Sequence, residues 1–270
     1  MDDLAFYVYC IADRAAAADL LPASLPAAIE DDSKLEWLVS GDLAALSSPV
    51  PRASYSEESL AEHLSDASWT AVRAMRHETV MEHVAKRASV VPLRFGTIYL
   101  ERAGVARMLE EKRGELAEII ERLRGREEWG VNVYCDQSTL MSSIISVSPV
   151  LRDLAERATQ ASPGQSYLLQ KKIDTLKVDE ARASLARIVD EIEEALGRNS
   201  EYAKRLRVLK VEATEHGELK AKFAFLIKQS EFGTFRDAAE QQAQEHQAAG
   251  VRLELTGPWP AYNFTAFEKS

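Results

Sequence analysis

The sequence predicts an α+β protein of two domains: an N-terminal α+β domain over residues 1–125, and a ferredoxin-like domain over residues 126–270 that ends in an aromatic tail. Three observations lead there. The second half orders its elements β-α-β-β-α-β, the succession of the ferredoxin-like unit. Such a unit makes an antiparallel sheet with both helices on one face, so its strands should show one apolar side. Leu219, Ala221, Phe223, Phe225 and Ile227 do so, as do Val251, Leu253 and Leu255. Finally, of 270 residues 46% are hydrophobic and 28% charged, which allows a substantial core in one large domain or two ordinary ones. The expected strand order in the second domain is 4-1-3-2, with Leu206 to Ala213 and Val251 to Thr256 at the edges.

Leu4 to Ile11 is rich in β-branched and aromatic residues and reads as a strand; an alanine-rich helical stretch follows and ends near Pro22. Leu35 to Val39 and Leu43 to Leu46 flank Ser40-Gly41-Asp42, the composition of a hairpin turn, and Pro49 and Pro51 then break the chain. Ser56-Glu57-Glu58-Ser59 opens one helix. Ser68 caps the next, whose apolar residues are Trp69, Val72, Met75, Val80 and Val84. Val90 to Tyr99 is a strand interrupted by its Pro and Gly. From Val105 to Leu123 the apolar residues fall on one face of a core-facing amphipathic helix. The domain boundary falls near Gly125. Trp129 to Cys135 is a strand, the Ser-rich stretch from Ser138 to Pro149 reads as a mobile loop, and a long helix runs from about Gln165 to Leu196. Leu206 to Ala213 and Leu219 to Lys228 are strands joined at Glu215-His216-Gly217; Glu231 to Ala248 is helical and Val251 to Thr256 is the last strand.

The charge balance narrows the partners. Net charge is −10, from 33 basic and 43 acidic side chains, with no segregated run of Lys and Arg. Such a surface repels phosphate backbones and anionic lipid, so neither nucleic acid nor a lipid membrane is an expected partner. No apolar stretch approaches membrane-spanning length and no signal peptide is recognisable, so the expected location is cytoplasmic. Cys10 and Cys135 each end a Val-Tyr-Cys run outside any CxxC motif and are expected as buried free thiols.

A search for catalytic constellations finds none. The five histidines are scattered. His77-Glu78 begins like a zinc-protease HExxH motif, but Met81 stands where the second histidine should be, and His83 points to another side of the helix. A solvated helix face is the reading for both. There is no GxGxxG, no phosphate-binding loop and no nucleophile elbow, so neither catalytic residues, metal nor cofactor are expected. Lys222-Phe223-Ala224-Phe225-Leu226 resembles the aromatic core of an RNA-recognition strand. Its two phenylalanines share a face with Leu219, Ala221 and Ile227, which the helices must cover, so a core role is expected. RNA binding and an enzyme with an unrecognised site stand as the alternatives; a deep pocket with convergent titratable groups would mark the second.

Three segments carry a wider likeness. They are Val91-Pro92-Leu93-Arg94-Phe95-Gly96-Thr97, preceded by the helix with Trp69 and His77-Glu78; Trp129-Gly130-Val131-Asn132-Val133-Tyr134, followed by Gly164-Gln165-Ser166-Tyr167-Leu168-Leu169-Gln170-Lys171-Lys172; and Thr256-Gly257-Pro258-Trp259-Pro260-Ala261-Tyr262-Asn263-Phe264. In order and spacing they resemble the GvpF/GvpL family of gas vesicle proteins over essentially the whole chain. Gln170 departs from that pattern, where a basic residue is expected. The resemblance implies an α+β first domain, a ferredoxin-like second domain and a non-enzymatic part in gas vesicle formation. It also implies association with the small wall protein GvpA and with other accessory proteins, and leaves open whether the chain is a chaperone, a nucleator or a minor wall component.

The residues singled out as structural or partner-binding are Pro92, Leu93, Arg94, Phe95, Gly96 and Thr97, with Gly257, Pro258, Trp259, Pro260, Tyr262 and Phe264 in the tail. An arginine among so many apolar neighbours needs acceptors, so Arg94 is expected to anchor a buried polar network, with direct partner contact as the alternative. The tail prolines stiffen a backbone that presents Trp259, Tyr262 and Phe264, which either pin the tail to the fold or form a binding hot spot. The edge strand Leu206 to Ala213 has no proline and could accept a strand from a client, unless Lys210 and the flanking Arg205 and Arg207 guard it.

Overall fold

The computed structural model describes residues 4–20, 25–63, 65–208, 213–214 and 217–265. The chain divides into two compact units, Glu128–Pro258 and the remainder. The segment from Trp259 therefore groups with the first unit, not with the second half to which the sequence attached it.

The first unit is built on β1 (Leu4–Asp13), β2 (Glu36–Ser40), β3 (Leu43–Pro51), β4 (Val91–Pro92) and β5 (Ile98–Tyr99). They form an antiparallel sheet in the order β2-β3-β1-β4, with β5 also pairing β1. β1 is buried without a break from Ala5 to Ala12, which is why its sequence is a continuous apolar run and not an alternation. A register shift between Val8 and Cys10 brings Ala5, Tyr7 and Tyr9, and then Cys10 and Ala12, into one core cluster. That cluster is closed by Val80, Met81 and Val84 of α3 (Ala67–Ala85), while α4 (Arg102–Glu111) and α5 (Arg113–Leu123) also pack on the sheet.

Several expectations for this half are corrected. Pro49 and Pro51 do not end β3; they pair with Phe6 and Leu4, past Ser47 where β2 stops pairing. Two residues apart, their nitrogens point the same way, toward the side that β2 leaves open, where no donor is needed. The cap of α3 is Asp66, whose carboxylate accepts from the Ser68 and Trp69 amides, and not Ser68. The single helix expected over 105–123 is two, broken at Lys112, although Val105, Leu109, Leu116, Ile119, Ile120 and Leu123 are all buried. The alanine-rich helix is α1 (Arg14–Asp19), and the α2 helix (Glu57–His63) opens with Ser56 Oγ accepting from the Ser59 amide. Pro22 lies outside the described residues.

In the second unit β6 (Arg126–Cys135), β7 (Tyr202–Leu206), β8 (Ala213–Thr214), β9 (Gly217–Lys228) and β10 (Val251–Trp259) form a sheet in the order β10-β6-β9-β7, with β8 also on β9. Helices α6 (Gln137–Val147), α7 (Pro149–Gln160), α8 (Pro163–Gly197) and α9 (Phe232–His246) share one core with it, through Leu140, Leu151, Ile188 and Phe235. Both cysteines of the chain are buried and free.

The Ser-rich stretch is not a loop but α6 and the start of α7. The Asp136 carboxylate accepts from the Ser138 and Thr139 amides, and Leu140 and Ile144 are buried one turn apart. The serines are absorbed by the preceding turn: Ser142 and Ser143 donate to the Thr139 carbonyl, each at 2.9 Å, and Ser146 donates to the Ser143 carbonyl at 2.7 Å. The second strand of this half is Tyr202–Leu206, several residues earlier than expected. Residues 209–212 of the expected Leu206 to Ala213 strand, and Glu215-His216 of the expected turn, lie outside the described residues.

Phe223 and Phe225 are 1% and 0% exposed, and Phe225 packs on Phe235 with centroids 5.2 Å apart, so neither ring is open to a stacked base. Replacing Phe225 with Ala should lower stability by roughly 3–5 kcal/mol in urea denaturation, the cost of emptying a fully buried aromatic site.

Candidate functional site

The most unusual chemistry in the first unit lies where α3 crosses β1. The expected apolar stripe of α3 is rotated: Val72 and Met75 are exposed, at 48% and 68%, and the inward side runs through Trp69, Arg73, His77, Val80, Met81 and Val84. That spacing is equally helical, but it carries two polar residues. Arg73 reaches both carboxylate oxygens of Glu30 at 2.9 Å and lies 4.0 Å above the Trp69 ring, while Tyr55 Oη donates to the same carboxylate. A bidentate pair of this kind, part-shielded and capped by an aromatic face, ties the loop at Glu30 to α3.

His77, expected on a solvated face, is fully buried. Its ring stacks on Tyr9 (centroids 5.7 Å, interplanar angle 19°) and meets the edges of Tyr7 and Phe95. Both ring nitrogens are engaged, Nδ1 with Tyr7 Oη at 2.9 Å and Nε2 with Tyr262 Oη at 3.0 Å. The donor count assigns the tautomer. Tyr262 gives its one hydrogen to Glu78 Oε1, so its oxygen is left to accept from His77, and Tyr7 Oη, which also accepts from the Gly96 N–H at 3.1 Å, turns its own hydrogen to Nδ1. Nε2 then carries the ring proton and donates to Tyr262, which in turn donates to Glu78 Oε1 at 3.3 Å.

Two of the motif segments meet on this imidazole. In the first, Pro92 pairs with Cys10, Leu93 donates its amide to the Tyr9 carbonyl at 2.8 Å, and the Thr97 carbonyl accepts from the Val8 amide at 2.9 Å. The turn between them needs Gly96 at φ +83°, a conformation that points its N–H at Tyr7 and that a side chain would strain. Thr97 closes the turn by donating to the Arg94 carbonyl from both its amide and its hydroxyl. In the tail, Pro260 and Phe264 are buried and a single 3-10 turn over Tyr262–Phe264 aims Tyr262 at His77. Tyr262 thus pins the tail, one of the two roles expected of its aromatics.

Other predicted residues stand apart. Arg94 is exposed, and its side chain has no hydrogen bond or ion pair among the described residues, so it anchors no buried network. The polar network exists, but His77 and the tyrosines make it. Gly257, Pro258 and Trp259 are exposed, Trp259 at 47%. Tyr7, Tyr9, His77 and Glu78 were missed as a group because three of them look like ordinary strand or helix residues. The available signal was the i, i+4 series Trp69, Arg73, His77, Met81, which only a buried face would keep in register with Val80 and Val84.

Burial sets the electrostatics. It pushes His77 down from 6.5 to about 4, against a smaller opposing pull from the Leu93 backbone, so the imidazole is neutral at physiological pH. Burial likewise raises Tyr9 to about 12, raises Tyr7 and Tyr262 further, and raises Glu78 despite its bond from Tyr262. Among the described residues no group of three or more His, Cys, Asp or Glu side chains is placed to hold a metal ion. One surface groove, of about 420 Å³, runs along residues such as Leu25, Pro26 and Leu35 with Lys34 as its one ionisable member. The arrangement around His77 is a clamp that fixes a loop and a tail.

Residues 5–266 match the family described as gas vesicle synthesis protein GvpL/GvpF. The chain belongs to the GvpL/GvpF family. Among its relatives, gas vesicle protein L of Streptomyces sp. (strain CB03234) is 28% identical over 231 residues, covering 83% of this chain and 80% of that protein. Gas vesicle protein F of the same strain is 27% identical over 270 residues, covering 96% and 98%. The crystal structure of the gas vesicle protein GvpF from Anabaena sp. PCC7120 superposes with a TM-score of 0.68 over 98% of this chain and 97% of that one, at 16% identity, a likeness of fold. Among the described residues of this GvpL/GvpF chain, no helix is long and apolar enough to cross a membrane.

Two expectations follow for the clamp. His77 takes up a proton near pH 6.5 when unfolded but only near pH 4 when folded, so in that window the unfolded chain binds more protons. Its contribution is complete above pH 6.5 and is lost as the pH falls toward 4, by about 3 kcal/mol in all. Urea titrations across the window should show a fall in stability that is smaller by that amount in His77→Gln. Second, Tyr262→Phe leaves Nε2 without its acceptor and should cost about 1–3 kcal/mol, whereas Arg94→Ala should stay within about 0.5 kcal/mol of the parent chain.

Proposed function

We propose that this GvpL/GvpF protein is a non-enzymatic, cytoplasmic accessory of gas vesicle assembly that binds the hydrophobic wall protein GvpA and other accessory proteins. The observation that carries the reading is the family match over residues 5–266, nearly the whole chain. The clamp supports the non-enzymatic part: its imidazole is sealed and neutral, and its partners are structural hydroxyls. We further infer that the second unit is a ferredoxin-like domain enlarged by α6 and α7, beginning near Gly125 and ending before Trp259, where the chain groups again with the first unit. Counting β6, β7, β9 and β10 as strands one to four, the order β10-β6-β9-β7 is the 4-1-3-2 of that fold.

The physical rationale lies in the client. A subunit that lines a gas space must expose apolar surface, and before assembly that surface drives aggregation in water. A partner carrying net charge −10 keeps such a complex dispersed. The exposed Arg94 at the tip of the Pro92–Thr97 turn is a contact residue in this reading, and β7 at the end of the second sheet is the strand open to addition.

Co-expression with GvpA tests the proposal. GvpA should co-purify in the soluble fraction with the tagged chain, and Arg94→Glu should reduce that capture while leaving the melting temperature unchanged. GvpA remaining wholly insoluble in the presence of the folded chain would count against it.

A further inference from the structure

The motif segment Gly164 to Lys172 forms the first turns of α8, and the fold does not use its outward side. Leu169, Ile173 and Leu176 pack on the core of the second unit. Tyr167 and Leu168, in contrast, are 68% and 65% exposed, side by side on the surface. Isolated exposed apolar residues are ordinary, but an adjacent aromatic and aliphatic pair left in water is less so. One turn on stand Lys171 and Lys172, both exposed. The other basic side chains within α8 are engaged: Lys177 with Asp174 at 3.2 Å, Arg182 with Asp179 at 3.4 Å, and Arg187 with Ser184 Oγ at 3.0 Å. Lys171 and Lys172 have no ion pair among the described residues, in a chain that carries ten more negative than positive charges.

From this patch we infer that the start of α8 is a docking surface for an acidic amphipathic helix of a partner protein. Tyr167 and Leu168 take the apolar side of that helix, and Lys171 and Lys172 meet carboxylates on its flank. Charge complementarity selects the occupant: two unpaired ammonium groups beside apolar contacts favour a partner whose apolar stripe is bordered by Glu or Asp. A lipid surface would offer negative charge too, but two lysines do not offset the repulsion from the rest of an acidic chain. The inference rests on the reading that the chain works by binding other gas vesicle proteins, and it adds where and by what chemistry.

The test uses the full-length chain and two designed helical peptides of equal apolar content, one with Glu and one with Lys at the polar positions, followed by fluorescence anisotropy. The acidic peptide should bind at least ~10-fold more tightly than the basic one, and Lys171→Glu/Lys172→Glu should remove most of that preference. Tyr167→Ser/Leu168→Ser should weaken the acidic peptide with no change in melting temperature. If the charge reversal disturbs folding, Lys171→Gln/Lys172→Gln serves instead, with a smaller loss expected. Equal binding of both peptides, or full binding by folded variants, would overturn the inference. So would sedimentation with phosphatidylglycerol vesicles that the lysine variants abolish, in the absence of peptide binding. Capture of GvpA is scored separately, so its failure in the unmodified chain would count against the proposed function and not against this surface.

Discussion

The first unit depends on a neutral imidazole held between two tyrosine hydroxyls. Desolvation alone would make a fully buried histidine a liability, because each unpaired ring nitrogen costs what water would have supplied. Here both nitrogens are satisfied, and the direction of the hydrogens is set at the Glu78 end, where the carboxylate accepts from Tyr262 and leaves Nε2 to donate and Nδ1 to accept. The remaining features follow from that demand. β1 must be buried on both sides to deliver Tyr7 and Tyr9; the bend after Pro92 must bring an N–H to Tyr7; and the tail must return to α3 to supply Tyr262.

This geometry explains why segments distant in sequence read as one signature. Gly96 lies 89 residues from Tyr7, and Tyr262 lies 185 from His77, yet each supplies one bond in a single network. Mutual dependence of this kind makes partial loss costly, because removing any hydroxyl leaves a buried partner exposed to the full desolvation penalty.

Much of the fold was legible in the sequence. The hairpin at Gly41-Asp42, the long helix α8 and the strand sequence of the second half rest on local turn chemistry and periodicity, and they stand close to where those signals put them. The failures have physical causes. α6 was hidden because serine is common in loops, and only the carbonyls one turn back, which accept from Ser142 and Ser143, reveal how a helix absorbs it. Arg94 was given a buried role from its apolar neighbours in sequence, but a turn at Gly96 points successive residues in different directions, so Phe95 enters the core while Arg94 leaves it. His77 was taken for a surface residue because a polar side chain on a helix is usually solvated. Its burial depends on two tyrosines and a tail that no local window contains.

Nitrogen NMR of the chain with labelled histidine reads the protonation state of His77 directly. At pH 6 the His77 imidazole should be neutral, with Nδ1 unprotonated and Nε2 carrying a slowly exchanging proton, and this signal should vanish in His77→Gln. A His77 ring that is protonated on both nitrogens at pH 6, or that exchanges its proton freely with water, would contradict it.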